Sequence, residues 1–197
     1  RFIGDPLERI AEDHLRILRY FRFHARYGHG EPDAHALEAC TARANDLMAL
    51  SRERIADELM KLLALDDPTP TVGLMLERGI LNPVIPEIGN SRSLEALVAA
   101  ERAAGIEPDP LRRLAALLPR DPQSAERIAA RLKLSNKAKK RIFVAADPSP
   151  ISDPRALAYR LSPEGAIDRL LLGGRSDDAA SIKGWKPPRL PMTTKAT

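Results

Sequence analysis

Apolar positions recur with a helical period through most of the chain, most clearly between Asp5 and Gly28. At about 100° per residue, Ile10, Ile17, Leu18, Phe21 and Ala25 gather into one apolar stripe. Asp5 stands as N-cap, Pro6 at the first helical position and Glu8 three residues after the cap. Gly28 offers a left-handed stop. The pattern predicts one continuous helix over 5–28. Arg9, Asp13 and Arg16 lie together beside the stripe, with Arg19, Arg22 and Arg26 on the opposite side.

Similar signals continue along the chain. Asp33 caps a helix running to about Leu47, and Ser51 caps the next, whose apolar face is Ile55, Leu59, Leu62 and Leu63. Asp66 to Pro70 is a break, and Thr71 caps a short helix ending at Gly79. A proline-punctuated loop over 82–90 precedes a helix from Ser91 to Ala104 stopped by Gly105. Further helices are expected at 110–118, from Asp121 to about Leu134, over 136–146 behind the cap Ser135, and near 154–161 and 163–173. No stretch alternates with period two as a half-buried strand does. The expectation is an all-α, multi-helical array of about nine or ten helices without a sheet, and without a fixed repeat.

Composition supports packed helices, with 44% hydrophobic and only 4% aromatic residues in 197. At this length a sizeable core can form. No 18-residue apolar run is present, so no membrane span is expected. The lone cysteine, Cys40, excludes an internal disulfide and suits a reducing, cytoplasmic setting, where it reads as a small buried hydrophobe. The chain opens on Arg1 rather than Met, which suggests a portion of a longer protein.

Formal net charge is +4, and its distribution is uneven. Residues 1–60 hold nine Lys or Arg against eleven Asp or Glu, whereas 127–141 hold seven basic residues and no acid. Residues 183–197 add Lys183, Lys186, Arg189 and Lys195, again without an acid. Positive charge concentrated in the back half fits a nucleic-acid partner.

Within the first helix the acids and arginines admit two readings. A carboxylate only accepts hydrogen bonds and a guanidinium presents a planar fork of donors. Asp13 and Arg16, three residues apart, can set an acceptor beside a donor on one helix edge and so read the polar edge of a nucleobase. The plainer alternative is an i,i+3 ion pair on a wet helix, contributing a few tenths of a kcal/mol.

The run from Gly4 to Phe23, followed by Leu50 to Leu63, resembles the class II tRNA nucleotidyltransferases. These are the CCA-adding enzymes and the related bacterial poly(A) polymerases. The resemblance implies that Asp13 and Arg16, with Glu12 beside them, select incoming CTP or ATP by imitating a templating base. It implies a neck over 1–65, a helical body over 66–135 and the start of a basic, RNA-binding tail over 136–197. Ser51, Glu53, Arg54, Ile55, Glu58 and Leu59 match the family's next motif, which is taken to brace the nucleotide-reading helix. Arg9 is a further candidate for phosphate contact or bracing. Arg19 and Arg22 either touch nucleotide phosphates or brace the acids Glu53, Asp57 and Glu58, and bracing is favoured. Trp185, Pro188, Leu190, Pro191 and Met192 resemble a stretch that precedes the family's last tail helices, so the tail is expected to be incomplete.

The implied function is CCA addition to, or repair of, tRNA from CTP and ATP, with tRNA as partner. The alternatives are the matching part of a poly(A) polymerase and a non-catalytic helical RNA-binding module. Nucleotidyl transfer needs metal-held phosphates, and in the family Mg²⁺ is held by a head domain with a Gly-Ser loop and an Asp-x-Asp pair. No Gly-Ser dipeptide occurs here, and the close pairs Asp66–Asp67, Glu107–Asp109 and Asp177–Asp178 read as loop or proline-adjacent residues. The chain by itself is expected to hold no catalytic carboxylates and no metal. His14, His24, His29 and His35 are not spaced as a metal set, and His14 reads as a hydrogen-bonded helix residue. Lys137, Lys139, Lys140 and Arg141 either contact the RNA phosphate backbone or form a solvated face, with Ala138, Ile142 and Phe143 packed beneath.

Overall fold

The computed structural model describes residues 2–188; Arg189, Leu190, Pro191, Met192 and Lys195 lie outside the described residues. Among these the chain is all-α, with twelve α-helices, one 3-10 segment and no strand. The first half holds α1 (Pro6–Glu12), α2 (Arg16–Tyr27), α3 (Ala34–Ala42), the 3-10 segment Ala44–Ala49, α4 (Arg52–Leu63) and α5 (Thr69–Glu77). Then come α6 (Arg92–Ala104), α7 (Pro110–Leu117), α8 (Pro122–Arg131) and α9 (Asn136–Ala145). The chain closes with α10 (Pro154–Leu161), α11 (Pro163–Leu172) and α12 (Ser176–Ile182).

Caps fix most of these boundaries. The side chains of Asp5, Asp33, Ser51, Asp109, Asp121, Ser135, Asp153 and Ser162 each accept a hydrogen bond from a first-turn amide of the helix that follows. Each supplies a partner to one orphan N–H at a helix start. Gly105 ends α6 in the left-handed region at φ 61°, where a Cβ would be strained.

Five local expectations are corrected. The predicted 5–28 helix is two helices, because Asp13 leaves helical space at φ −155° and its Oδ1 accepts from Leu15 N at 3.1 Å. A short acid that hydrogen-bonds nearby backbone competes with a continuous helix. Gly28 is extended rather than left-handed (φ −71°, ψ 141°); a Cβ there would meet His24 O at 2.5 Å, so glycine serves a close approach. The helix behind Asp33 stops at Ala42 and tightens into the 3-10 segment, while Thr71 lies buried inside α5 rather than capping it. Finally, Asp177 and Asp178 occupy the first turn of α12, which the pattern did not predict.

Two apolar clusters hold the array together. The larger joins Ile10, Ile17, Leu18 and Phe21 to Leu59, Leu63, Met75, Ile85, Leu94, Leu114 and Ile142, and so runs from α1 to α9 without a break. The smaller gathers Leu97, Ala100 and Ala104 from the other face of α6 with Leu157, Ala158, Ala166, Leu170 and Ile182, and Trp185 packs against it. Helix α6 thus serves both. Helix α2 packs on α4 and α5, and α4 on α7, which carries the front of the chain onto its middle.

Candidate functional site

The α1–α2 break sets the geometry around Asp13 and Arg16. Arg16 turns back toward α1, donating from Nη1 to Glu12 Oε2 at 2.6 Å and to the Arg9 carbonyl at 2.9 Å. Arg9 holds the same carboxylate at 3.0 Å. The hydrogen bond from Arg16 comes first among the causes that hold Glu12 below the usual carboxylate range, and it outweighs the slight burial that acts the other way.

Asp13 faces elsewhere. Its oxygens accept from Arg54 Nη2 of α4 at 3.2 and 3.3 Å, and Arg19 Nη1 stands 3.9 Å from Oδ2. The expected Asp13–Arg16 edge on one continuous helix is therefore corrected: each is bound to a different partner, on opposite sides of the break. His14 is likewise not a helix residue. Its Nδ1 is buried without a hydrogen-bond partner, 3.9 Å from Asp46 Oδ2.

Beside this break opens a cavity of about 580 Å³. Arg9, Arg16 and Arg19 line it together with the rings of Phe2, Tyr20, Phe23, His24 and Tyr27. Arg19 was expected opposite Arg9 and Arg16; the break rotates α2 against α1 and brings all three to one cavity. Phe2 stacks on Tyr20 with centroids 5.5 Å apart, and Phe23 on Tyr27 at 6.3 Å. Arg22 lies over the Phe23 ring at 4.5 Å. Guanidiniums and stacked rings around one hollow present both charge and π-faces to a ligand. Glu12 and Asp13 do not line it.

Behind the cavity α4 supplies the counter-charge. Glu58, 3% exposed, accepts from Arg22 Nε at 2.7 Å and from Arg19 Nε at 3.3 Å. Of the three acids read as needing partners, Glu58 takes both arginines. Asp57 pairs with Lys61 at 2.6 Å, and Glu53 is exposed with no ion pair among the described residues. Ser51 caps α4 by accepting from Arg54 N at 3.4 Å.

On α9, Lys137 and Lys140 are exposed and Lys139 is half-buried. Arg141, grouped with them from the sequence, is corrected. Its guanidinium is drawn into three carboxylates, at 2.7 Å from Asp168, 2.9 Å from Asp109 and 3.1 Å from Glu164. Burial works against its charge, yet Asp168 and Asp109 hold it protonated beyond the ordinary arginine value. Phe143, expected beneath the helix, is 39% exposed, whereas Ile142 is buried.

The sequence reading missed the buried charges of the middle helices. Glu101, Arg112, Arg113, Asp168 and Arg169 are each at most 5% exposed. Arg112 bridges Glu101 at 2.9 Å and Asp168 at 2.8 Å. The available signal was the Arg112–Arg113 pair inside an apolar turn, where a solvated face would need only one of them. Among the described residues no three His, Cys, Asp or Glu side chains converge as a metal set.

Comparison with known proteins places these features. Residues 31–91 match the family model described as "Probable RNA and SrmB- binding site of polymerase A". Over 144 residues the chain is 36% identical to "CCA tRNA nucleotidyltransferase 1, mitochondrial" of Mus musculus, covering 71% of this chain and 32% of that protein. It is 30% identical over 128 residues to the "CCA-adding enzyme" of Bordetella pertussis, covering 64% and 34%. A solved structure described as "The complex structure of CCA-adding enzyme with ATP" superposes with a TM-score of 0.61 at 18% identity, over 88% of this chain and 48% of that one, a likeness of fold. Fold and family match together define an all-α, multi-helical array similar to part of the CCA-adding enzymes. More narrowly, over this part of its length the chain is similar to the CCA-adding tRNA nucleotidyltransferases and to the RNA-binding region of polymerase A. It spans about a third of the length of the curated relatives it matches.

Proposed function

We propose that this chain is the base-reading and RNA-gripping portion of an enzyme that builds or repairs the 3′-terminal CCA of tRNA from CTP and ATP. Asp13 and Arg16 select the base, Glu12 and Arg9 orient Arg16, and α4 braces them through Arg54 and Glu58. The α1–α2 break supports this most. It frees an acceptor and a donor from helix packing and leaves Arg16 lining a hollow with two further guanidiniums. Arg16 commits Nη1 to Glu12 and Arg9, and among the described residues its Nη2 donates to no protein acceptor. Asp13 presents its edge to a base when that base displaces the 3.2 Å contact with Arg54.

Residues 1–65 form the neck, 66–135 the body and 136–197 the start of the tail in this reading. Lys137, Lys139 and Lys140 give the RNA backbone its cationic contact. Mg²⁺ would supply charge neutralisation at the transferring phosphate, but the residues described do not fit a metal site, so no step is routed through a metal on this chain. Alone, the chain is expected to bind nucleotide and RNA without transferring nucleotide. The names of the relatives favour CCA addition over poly(A) synthesis. No helix among the described residues is long and apolar enough to cross a membrane. A reducing compartment remains the expectation from the single buried cysteine, though vertebrate relatives are named as mitochondrial.

The test is nucleotide choice. In the full-length protein acting on tRNA that lacks CCA, Asp13→Ala and Arg16→Ala are each expected to blur discrimination of CTP and ATP from UTP and GTP. The effect should be about ten- to a hundredfold, as one or two lost hydrogen bonds to a base predict, with triphosphate affinity changed less. Selectivity equal to wild type in both variants refutes the reading.

A further inference from the structure

Helix α4 ends at Leu63; Ala64 N donates to the carbonyls of Met60 and Leu62, and the Leu63 carbonyl is left to a partner from elsewhere. A side chain from 50 residues away takes it, together with two carbonyls just beyond the helix. Arg113 of α7, 1% exposed, donates from Nη1 to the carbonyls of Leu63 at 2.8 Å and of Leu65, and from Nη2 to that of Asp66 at 3.1 Å. Its Nε donates to Glu101 Oε2 of α6 at 2.9 Å, and Arg112 holds the other Glu101 oxygen at 2.9 Å. A cation is favoured at the negative end of a helix. A planar fork shared between the last helical carbonyl and two carbonyls of the turn that follows also fixes both the height and the rotation of that end, which a point-charge ammonium does not.

The same helix carries Arg54 and Glu58 toward the cavity. Arg54 lies nine residues before Leu63, about 14 Å along the axis. A straight helix transmits a shift or rotation of one end to the other. Arg54 meets Asp13 at 3.2 Å, and Glu58 meets Arg22 at 2.7 Å and Arg19 at 3.3 Å. Asp13 and the arginines of α2 are thus referenced to α4, and α4 is referenced to Arg113.

We propose that Arg113 is a positioning residue for base selection, setting through α4 where Asp13 and the arginines of α2 stand. It touches no substrate. The inference rests on the base-reading role of Asp13 and Arg16 given above.

The informative variant is Arg113→Lys, which keeps a charge beside Glu101 and loses the fork; Arg113→Ala would also remove one of the two buried partners of Glu101 and destabilise the chain. The comparator is Leu157→Ala, in the smaller core away from α4, with temperature chosen so that both variants are equally folded. In the full-length protein, Arg113→Lys is expected to lower discrimination of CTP and ATP from UTP and GTP about tenfold, less than the roughly hundredfold that a misplacement of about 1 Å costs a reacting group. The comparator should leave the ratio at the wild-type value. On the chain itself, amide exchange at Leu15 and Arg16 should quicken in Arg113→Lys and not in the comparator. A wild-type selectivity ratio in Arg113→Lys, with Asp13→Ala and Arg16→Ala still blurring choice, overturns the positioning role and leaves base reading intact. If those two variants also keep wild-type selectivity, base reading falls and the positioning role falls with it.

Discussion

Replacing Glu58 by glutamine removes the one buried carboxylate that serves two arginines of α2. The side chain is 2% exposed, with Arg22 Nε at 2.7 Å and Arg19 Nε at 3.3 Å. Breaking a buried ion pair from one side costs about 3–5 kcal/mol when the remaining charge stays enclosed. Here Arg19 is 43% exposed and Arg22 16%, so both guanidiniums reach water, and a glutamine oxygen still accepts one hydrogen bond. The expected loss is therefore about half, roughly 1.5–2.5 kcal/mol. For a chain of this size that lowers Tm by about 3–10 °C. The assay is urea or thermal unfolding of wild type, Glu58→Gln, Arg22→Gln and the double variant, at low and high salt. The cycle should return a coupling of about 1–2 kcal/mol that persists in salt. A loss under about 0.5 kcal/mol, or a coupling that salt abolishes, would mean a solvent-screened surface pair and refute the view that α4 braces α2.

Three further outcomes follow from the structure. Combined replacement of Lys137, Lys139 and Lys140 by glutamine should reduce the slope of log K against log salt for tRNA binding by about 2, each phosphate contact being worth about 0.7–0.9. Arg141→Gln should leave that slope alone and lower stability instead; a slope change in Arg141→Gln would contradict its enclosure by Asp109, Glu164 and Asp168. Burial pushes the Cys40 thiol from its ordinary 9.0 up to about 12. Between those values the unfolded chain binds fewer protons than the folded one, so this contribution is complete below about pH 9 and is lost as pH rises toward 12. Urea midpoints should fall more steeply with alkaline pH in wild type than in Cys40→Ala, and equal slopes would refute the enclosure of the thiol.

Periodicity and capping made the helices legible because both are local. Asp109 before Pro110, Asp121 before Pro122 and Gly105 behind Ala104 act on amides and carbonyls within one turn, so the residues themselves carry the boundary. Asp13, Arg16, Arg54 and Glu58 were singled out through a resemblance in motif and spacing, not through a local physical signal.

Tertiary structure decided which of these side chains meet. Three residues of spacing suggested that Asp13 faces Arg16, yet Asp13 leaves the helix because Leu15 N and Arg54 compete for its carboxylate. The charge run on α9 suggested four equivalent cations, yet Asp109, Glu164 and Asp168 arrive from other helices and claim Arg141. A guanidinium is read from sequence as a solvated charge unless its partner is near in the chain. Arg113 finds the end of α4 some 50 residues away. Sequence by itself settled where the backbone turns helical, because those hydrogen bonds close within four residues. Which charges are buried and paired depended on helices distant in the chain, and only their packing could decide it.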